Sequence, residues 1–136
     1  MSAEGTDAAG GMSVTLGVRD YVRESEEIAR LDLPVHDGIL QPYGVVHGGA
    51  YSALAETVAS TATAETVGPE MAAMGQANDT TFLRPVAEGT IRAVARARHR
   101  GRTTWVWDIE MTDDAGRLCA LSRMTVAVRA MPSRPA

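Results

Sequence analysis

One segment, residues 47–67 (HGGAYSALAETVASTATAETV), constrains the fold more than any other part of the chain. It contains no proline, and its apolar side chains recur at the spacing of one helical face. These are Leu54, Ala55, Val58, Ala59 and Ala62. Its many Ala, Ser and Thr residues are small, so neighbouring elements can approach closely on several sides. Because Gly68 and Pro69 follow, the sequence predicts one long, largely buried helix that ends there.

Extended patterns occupy most of the remaining chain. Two short alternating patterns, at 13–22 and 27–35, precede the helix, and four longer ones follow it. The four lie at 71–83, 89–100, 102–112 and 117–129, and the last two form a hairpin around residues 114–116. An antiparallel sheet of about five or six strands, wrapped around one long central helix, is the simplest way to cover that helix. The predicted architecture is therefore the α+β hotdog fold.

The length and composition fit one domain. The chain has 136 residues, of which 45% are hydrophobic and 22% are charged, enough for one sizeable core. We expect a flexible leader over residues 1–12, a single domain over 13–130 and a C-terminal tail over 131–136. The N-terminus lacks the basic and apolar regions of a signal peptide, and no apolar run reaches the ~20 residues of a membrane span. A cytoplasmic protein without a membrane partner is the expectation.

Charge, cysteine and histidine content exclude several kinds of site. The net charge of −4 and an aromatic content of 4% give no support for a nucleic-acid partner. The single cysteine, Cys119, excludes an internal disulfide, and its strand-like neighbours predict a buried, unreactive thiol. His36, His47 and His99 lack metal-ligand spacing, so no metal site is predicted. His36 and His99 are expected on the surface.

The paired glycines at the start of the predicted helix are the first candidate for chemistry. The first turn of a helix has unpaired N–H groups and carries the positive end of the helix dipole. Gly48 and Gly49 remove the side chains that would block approach to those donors, as an oxyanion hole requires. The alternative is that the two glycines only allow tight packing of the helix on the sheet.

Glu56 is the second candidate, because an acid is unusual among the small apolar residues around it. Ser52 and Ser60 lie four residues to either side and share its face of the helix. A carboxylate on a mostly buried helix, held by two hydroxyl groups, is a candidate nucleophile or general base. The alternative is a solvent-facing glutamate without a catalytic role, and spacing alone does not decide between the two.

The chain also resembles a known family. The stretches at 44–60, 78–89 and 100–120, with the ending MTVAVR at 124–129, are similar to the hotdog acyl-CoA thioesterases. The resemblance covers about residues 27 to 130. It is strongest to the 4-hydroxybenzoyl-CoA thioesterases whose acid lies on the central helix, within the phenylacetate-pathway thioesterase group. It implies hydrolysis of an aromatic acyl-CoA, 4-hydroxybenzoyl-CoA-like or phenylacetyl-CoA-like, to the free acid and CoA. No cofactor is implied, because CoA is part of the substrate.

The resemblance assigns roles to five residues. Glu56 matches the catalytic carboxylate, acting as nucleophile or general base, and Gly48 matches the residue whose N–H polarises the thioester carbonyl. His47 matches the histidine before that glycine. Gln41 matches a side-chain amide near the reacting thioester, and Ser60 a hydroxyl that orients the acid or its water.

The chain departs from the family pattern in two places. Pro42 and Tyr43 replace a basic–aromatic pair at the expected rim of the acyl pocket, so that rim is not carried over from the family. Arg102 replaces a small hydroxyl residue, which alters an expected nucleotide contact.

Four residues near strand ends are the expected contacts for the CoA nucleotide: Arg84, Arg102, Thr103 and Thr104. Their guanidinium and hydroxyl groups suit the phosphates of CoA. A second basic set alternates along the strand at 89–100, and it is either a solvated sheet face or a phosphate-binding surface. Its members are Arg92, Arg96, Arg98 and Arg100. Trp105 and Trp107 share a strand face and are expected in the core, an interface or the acyl pocket.

Two other functions stay open. A hotdog dehydratase or hydratase would need an acid and a histidine acting together on the acyl group, and His47 is the available histidine. A non-catalytic acyl-CoA-binding module is the third possibility.

The spacing of Gly48 and Glu56 predicts an oligomer. Eight residues of helix separate them by about 12 Å, too far for both to touch one carbonyl. The site should therefore combine Gly48 of one subunit with Glu56 of another. A homodimer is the expected minimal active unit and a homotetramer the expected assembly.

Overall fold

The computed structural model describes residues 11–132, and this part of the chain forms two α-helices and six strands. In chain order they are α1 (Gly11–Leu16), β1 (Arg19–Arg23), β2 (Ile28–Pro34), α2 (Gly48–Val67), β3 (Met71–Phe82), β4 (Thr90–Arg100), β5 (Thr104–Thr112) and β6 (Leu118–Ala130). A short 3₁₀ helix, Asp37–Ile39, lies between β2 and α2. Among these residues, no helix is long and apolar enough to cross a membrane.

The six strands form one antiparallel sheet in the order β1-β2-β4-β5-β6-β3. The predicted hairpin is confirmed, since β5 and β6 pair from Thr104↔Ala127 to Thr112↔Leu118. Asp113 holds the turn between them, because its carboxylate accepts hydrogen bonds from the N–H groups of Ala115 and Arg117, each at 2.9 Å. The long strand β3 lies at one edge of the sheet, beside β6 alone.

Helix α2 packs against the concave face of the sheet. It ends at Gly68, where φ is +86° and where an ordinary side chain would be strained. Its five predicted core residues, Leu54, Ala55, Val58, Ala59 and Ala62, are all fully buried. The predicted central helix and its buried face are therefore confirmed.

The sequence prediction for residues 13–22 is wrong in part. That segment reads as a strand, but its first half belongs to helix α1 and only Arg19–Arg23 form β1. The turn at Gly17, with φ of +85°, reverses the chain after α1, and Leu16 is buried against the core. The predicted leader, residues 1–12, overlaps α1 at Gly11 and Met12, and its first ten residues lie outside the described part. The tail beyond residue 132 lies outside it as well.

The two tryptophans and the cysteine lie in the core. Trp105 and Trp107 are buried, with ring centroids 6.0 Å apart. The Trp107 Nε1–H donates to the hydroxyl of Thr63 on α2 at 2.9 Å, so the helix and the sheet share a satisfied buried hydrogen bond. Cys119 is fully buried, and burial raises the pKa of its thiol. The thiol therefore stays protonated, as expected of an unreactive cysteine.

Arg23 connects β1 to the C-terminal half of α2. Its Nη1 donates to the carbonyl of Ala62 at 2.8 Å, and its Nη2 donates to the hydroxyl of Thr66 at 2.9 Å. The guanidinium also lies 3.5 Å from a carboxylate oxygen of Glu65 and 5.8 Å from the ring centroid of Trp107. Only 19% of its side chain is exposed. Nothing in the sequence distinguishes Arg23 from any other arginine on an edge strand.

Replacing Arg23 by methionine should destabilise the fold by about 2 kcal/mol, since it removes several charge-assisted hydrogen bonds while keeping the apolar stem. Urea unfolding followed by tryptophan fluorescence would measure the change. Arg19→Met on the same strand is the control. Arg19 is 63% exposed and 3.6 Å from Asp20, so its loss should cost less than about 0.5 kcal/mol. Equal effects of the two substitutions would contradict this role of Arg23.

Candidate active site

The start of α2 presents one free backbone donor. His47 caps the helix: its Nδ1 accepts the N–H of Gly49 at 2.8 Å, and its carbonyl accepts the N–H of Ala50 at 2.9 Å. Within residues 11–132 the N–H of Gly48 has no acceptor. The expected oxyanion donor therefore points out of the helix at the positive end of its dipole. His47 acts here as the helix cap and is exposed.

Gly48 also lies close to the end of strand β3. A Cβ atom there would lie 2.9 Å from the tip of the Phe82 ring, closer than normal contact. Phe82 is the last residue of β3, and its ring centroid lies 5.9 Å from that of Tyr51. Gly48 thus packs closely against the Phe82 ring and also leaves its N–H unpaired, which is compatible with both interpretations of the paired glycines.

Gln41 presents a second donor. Its Oε1 accepts the backbone N–H of Tyr43, and an N–H donor fixes which end of the amide is the oxygen. The loop that holds it turns at Gly44, whose φ is +81° and whose N–H donates to the Gln41 carbonyl at 2.9 Å. The Nε2 group of Gln41 therefore remains available to donate a hydrogen bond.

These groups line one pocket of about 430 Å³. Gln41, Gly48 and Arg84 supply its polar side, and Tyr51 and Phe82 are among its apolar walls. A second cavity of about 320 Å³ lies beside His47 and Gly49 and is mostly apolar. Only the first contains the free N–H of Gly48, so it is the better candidate for a reacting carbonyl.

The surroundings of Glu56 differ from the sequence expectation. The side chain is exposed within the single chain, whereas the small residues around it predict burial. Its carboxyl group lies against Gly75 of β3, where a Cβ would come within 2.9 Å of Cδ and Oε2. The Ser60 hydroxyl is buried without a hydrogen-bond partner, so the expected contact from Ser60 to Glu56 is not formed. Glu56 is also absent from the lining of the Gly48 pocket.

Comparison with known proteins decides the family. The sequence pattern that defines the Thioesterase superfamily matches residues 43–120, more than half of the chain. The chain belongs to the Thioesterase superfamily. It is 33% identical to the proofreading thioesterase EntH of Cronobacter turicensis over 128 residues, which cover 94% of this chain and 93% of that protein.

Solved structures agree with this assignment. The PaaI protein from the phenylacetic acid degradation operon of E. coli aligns with a TM-score of 0.80 at 28% identity, over 96% of this chain and 91% of that one. A Staphylococcus aureus thioesterase aligns with a TM-score of 0.81 at 28% identity, over 87% and 98%. Structures of that enzyme carry a glutamine-to-alanine or a glutamate-to-alanine substitution, at positions fifteen residues apart. The hotdog fold is confirmed, and the chain is a thioester hydrolase of the PaaI-like group.

The expected nucleotide contacts of this thioesterase fall into two places. Arg84 follows β3, and its N–H donates to the carbonyl of Cys119 near the start of β6. Thr103 accepts the N–H of Val128 near the end of β6, with Arg102 and Thr104 beside it. Cys119 and Val128 are nine residue steps apart along β6, a distance of about 30 Å. Within one chain, β6 therefore separates Arg84 from Thr103 and Thr104.

The basic set on β4 is largely neutralised by acids. Arg92 pairs with Asp114 at 2.8 Å, Arg98 with Asp108 at 3.4 Å, and Arg100 with Glu26 at 3.6 Å. These contacts favour a solvated face over a phosphate-binding surface.

Within residues 11–132, no group of three or more His, Cys, Asp or Glu side chains has the geometry of a metal site.

Three residues near the candidate site are not singled out in the sequence. Gly75, Phe82 and Tyr51 approach Glu56 and Gly48 through packing between α2 and β3. Gly75 in the middle of a predicted strand is the one hint, since such a glycine often marks a close approach. A register shift in β3 follows it directly.

Gly75→Ala should lower kcat for thioester hydrolysis by about tenfold or more, because the new methyl group must displace the Glu56 carboxyl by a fraction of an ångström. Steady-state assays on protein of verified oligomeric state would measure it. Gly38→Ala is the matched control, since its Cβ also comes within 2.9 Å of a side chain, that of His36. Unchanged kcat in Gly75→Ala would show that this contact does not position the acid.

Proposed function

We propose that the protein hydrolyses aromatic acyl-CoA thioesters, of the 4-hydroxybenzoyl-CoA or phenylacetyl-CoA kind, to the free acid and CoA. The observation that carries the proposal is the unpaired N–H of Gly48 in a pocket walled by Tyr51 and Phe82. A donor at the helix start suits a thioester carbonyl, and two aromatic rings suit a flat acyl group. No cofactor takes part, because CoA enters as part of the substrate.

The proposed reaction needs two donors and one carboxylate. The Gly48 N–H and the Gln41 Nε2 hydrogen-bond the carbonyl oxygen and stabilise the negative charge that develops on it. Glu56 either attacks the carbonyl carbon, giving an anhydride that water opens, or removes a proton from attacking water. The CoA thiolate leaves without a strong acid. Gln41 and Glu56 are fifteen residues apart, the separation of the two residues replaced in the S. aureus relative.

The proposed site is shared between two subunits. Glu56 lies against Gly75, whereas Gly48 lies against Phe82. The Glu56 carboxylate and the Gly48 N–H therefore lie at different points along β3. An antiparallel pair of β3 strands from two subunits, with Gly75 opposite the partner's Phe82, would bring the two groups together. The two-fold axis would then pass between Asn78 and Asp79.

The free edge of β3 supports this assembly. An unpaired edge strand of twelve residues is an open template for pairing. Apolar side chains along and just after it are exposed: Met74 at 55%, Phe82 at 53% and Leu83 at 52%. A homodimer would cover them, and a homotetramer would be a pair of such dimers.

The same dimer would assemble the nucleotide site. In an antiparallel pair, the Phe82 end of one strand approaches the Met71 end of the other. Met71 pairs with Ala130, close to the Val128–Thr103 hydrogen bond. Arg84 of one subunit would thus approach Arg102, Thr103 and Thr104 of the next, as binding of one CoA requires.

The dehydratase alternative finds less support. That chemistry needs a histidine nitrogen free to exchange a proton with the acyl chain. The Nδ1 of His47 accepts the Gly49 N–H and leaves only Nε2 for such an exchange, and the His47 side chain does not line the Gly48 pocket. Hydrolysis requires no role of His47 other than capping the start of α2.

Glu56→Gln should lower kcat at least ~10²-fold on the best aromatic acyl-CoA with little change in KM, because the amide keeps the shape but loses the basicity. Free-thiol release would report the rate, and circular dichroism the fold. Glu65→Gln, on the same helix and far from Gly48, is the control and should keep kcat within about twofold. If purified Glu56→Gln turns over like the wild type, the proposed mechanism is wrong.

Mixed dimers would test the shared site. Chains carrying Glu56→Ala, mixed with chains carrying Gly48→Val, should regain about one good site per mixed dimer, because each chain supplies what the other lacks. Glu56→Ala chains mixed with the double variant should regain nothing. Mass spectrometry would verify the mixed species. A verified mixed dimer without recovered activity would argue that each subunit works alone.

A further inference from the structure

Asn78 of β3 makes a side-chain hydrogen bond to the backbone of α2. Its Nδ2 donates to the carbonyl of Ser52 at 2.9 Å. Within an α-helix that carbonyl also accepts the N–H of the residue four positions later, which is Glu56. Asn78 and the backbone of Glu56 therefore bond the same carbonyl group, and Asn78 holds the turn of α2 that leads to the acid.

A chain of hydroxyl groups orients the Asn78 amide. Its Oδ1 accepts the Thr80 hydroxyl at 2.7 Å, and the hydroxyl oxygens of Thr80 and Ser122 are 2.6 Å apart. Since Thr80 gives its one proton to Asn78, Ser122 donates to Thr80. Ser122 lies on β6 and is buried. The amide therefore turns its Nδ2 group toward α2, and the chain of hydroxyls anchors it to the neighbouring strand.

An irregularity in β3 brings Gly75 and Asn78 to the same face of the sheet. Gly75 pairs with Val126 of β6. Asn78, three positions later, pairs with Met124 because the strand shifts register in between. Val126 and Met124 are two residues apart on one strand, and both are buried. In a regular strand, residues three positions apart point to opposite faces, so the shift is what lets both residues face α2.

Strand β3 thus holds Glu56 at two points. Gly75 lies against its carboxyl group, and Asn78 bonds the helix backbone one turn before it. Within residues 11–132, the other side-chain hydrogen bonds between the sheet and α2 reach the second half of the helix, at Ala62, Thr63, Glu65 and Thr66. A misplacement of about 1 Å at a reacting group can cost about a hundredfold in rate.

We propose that Asn78 is a positioning residue of the reaction, which holds the Glu56 turn of α2 at the distance from β3 that productive use of the carboxylate requires. The inference rests on the proposed function, in which Glu56 is the acid. Asn78 acts through the helix and does not act on the substrate. Because it lies beside the proposed two-fold axis, each subunit would fix its own acid against the partner's oxyanion donor.

The test measures kcat and KM on the best thioester for wild type and three variants. Asn78→Asp keeps the shape and the acceptor for Thr80 but loses the N–H donor, so kcat should fall about tenfold or more while KM stays within about twofold. Thr80→Val removes the hydroxyl that orients the amide and should lower kcat about threefold or more. Thr80→Ser keeps that hydroxyl and should stay within about twofold of wild type.

Thr63→Val is the matched control for a helix that is loosened elsewhere. It removes the hydroxyl that accepts the Trp107 N–H in the buried link between α2 and the sheet. The melting temperature should fall because a buried donor loses its partner, while kcat should stay within about twofold of wild type. All proteins are assayed at verified oligomeric state, since Asn78 lies near the proposed dimer axis. If Asn78→Asp does not assemble, the comparison of Thr80→Val with Thr80→Ser decides.

A double variant separates positioning of the acid from a general structural effect. If Asn78 acts through Glu56, adding Asn78→Asp to Glu56→Gln should lower the residual kcat by less than about twofold. A purely structural role would lower kcat by the same factor with and without the acid.

Several results would overturn the inference. These are a wild-type kcat in Asn78→Asp, a rise in KM alone, equal losses in Thr80→Val and Thr80→Ser, and a full additional loss in the double variant. A loss of kcat in Thr63→Val as large as that in Asn78→Asp would overturn it too. If Glu56→Gln turns over like the wild type, the proposed mechanism and the inference fall together. A slow Glu56→Gln beside an unimpaired Asn78→Asp removes the inference alone.

Discussion

The close packing of the sheet on α2 is the constraint on which the rest of the structure depends. Half of the buried residues of the helix are alanines, and at those positions the sheet approaches the helix backbone closely. Only the side of α2 beside β3 keeps a charged residue near its middle, Glu56 against Gly75. The outermost strand and the acid therefore share one flank. The packing of the sheet on α2 therefore puts Glu56 and the free edge of β3 on the same side of the molecule.

Most of the fold is predictable from the sequence because each element carries its own local signal. The helix shows its period and its Gly68–Pro69 end, and the strands from β2 onward show alternation or a turn. The N-terminal segment misleads because Val14 and Thr15 are β-branched and favour a strand. Their helix is only six residues long and depends on Leu16 reaching the core and on the turn at Gly17. Tertiary contacts decide that segment, and no local pattern encodes them.

The candidate site is likewise only partly predictable from the sequence. The free N–H of Gly48 is predictable because the helix start and its glycines are neighbours in sequence, and the resemblance supplies Gln41. The exposure of Glu56 is not predictable, since it depends on which strand lies at the sheet edge. The separation of Arg84 from Thr103 depends on strand order too. The small residues around Glu56 predict burial, and the proposed second subunit would supply that burial at the free edge of β3.

Among residues 11–132, both buried side-chain polar groups without a hydrogen-bond partner lie on α2. The Gly48 N–H and the hydroxyls of Tyr51 and Ser60 have no partners within residues 11–132, whereas Trp107 and Thr63 satisfy each other. An unpaired buried hydroxyl costs about 1–3 kcal/mol, so Tyr51 and Ser60 weaken the isolated chain. Phenylalanine and alanine would avoid that cost at Tyr51 and Ser60. Local rules of polar satisfaction fail mainly where a protein binds something, and here they fail along the helix that begins in the pocket and carries the acid.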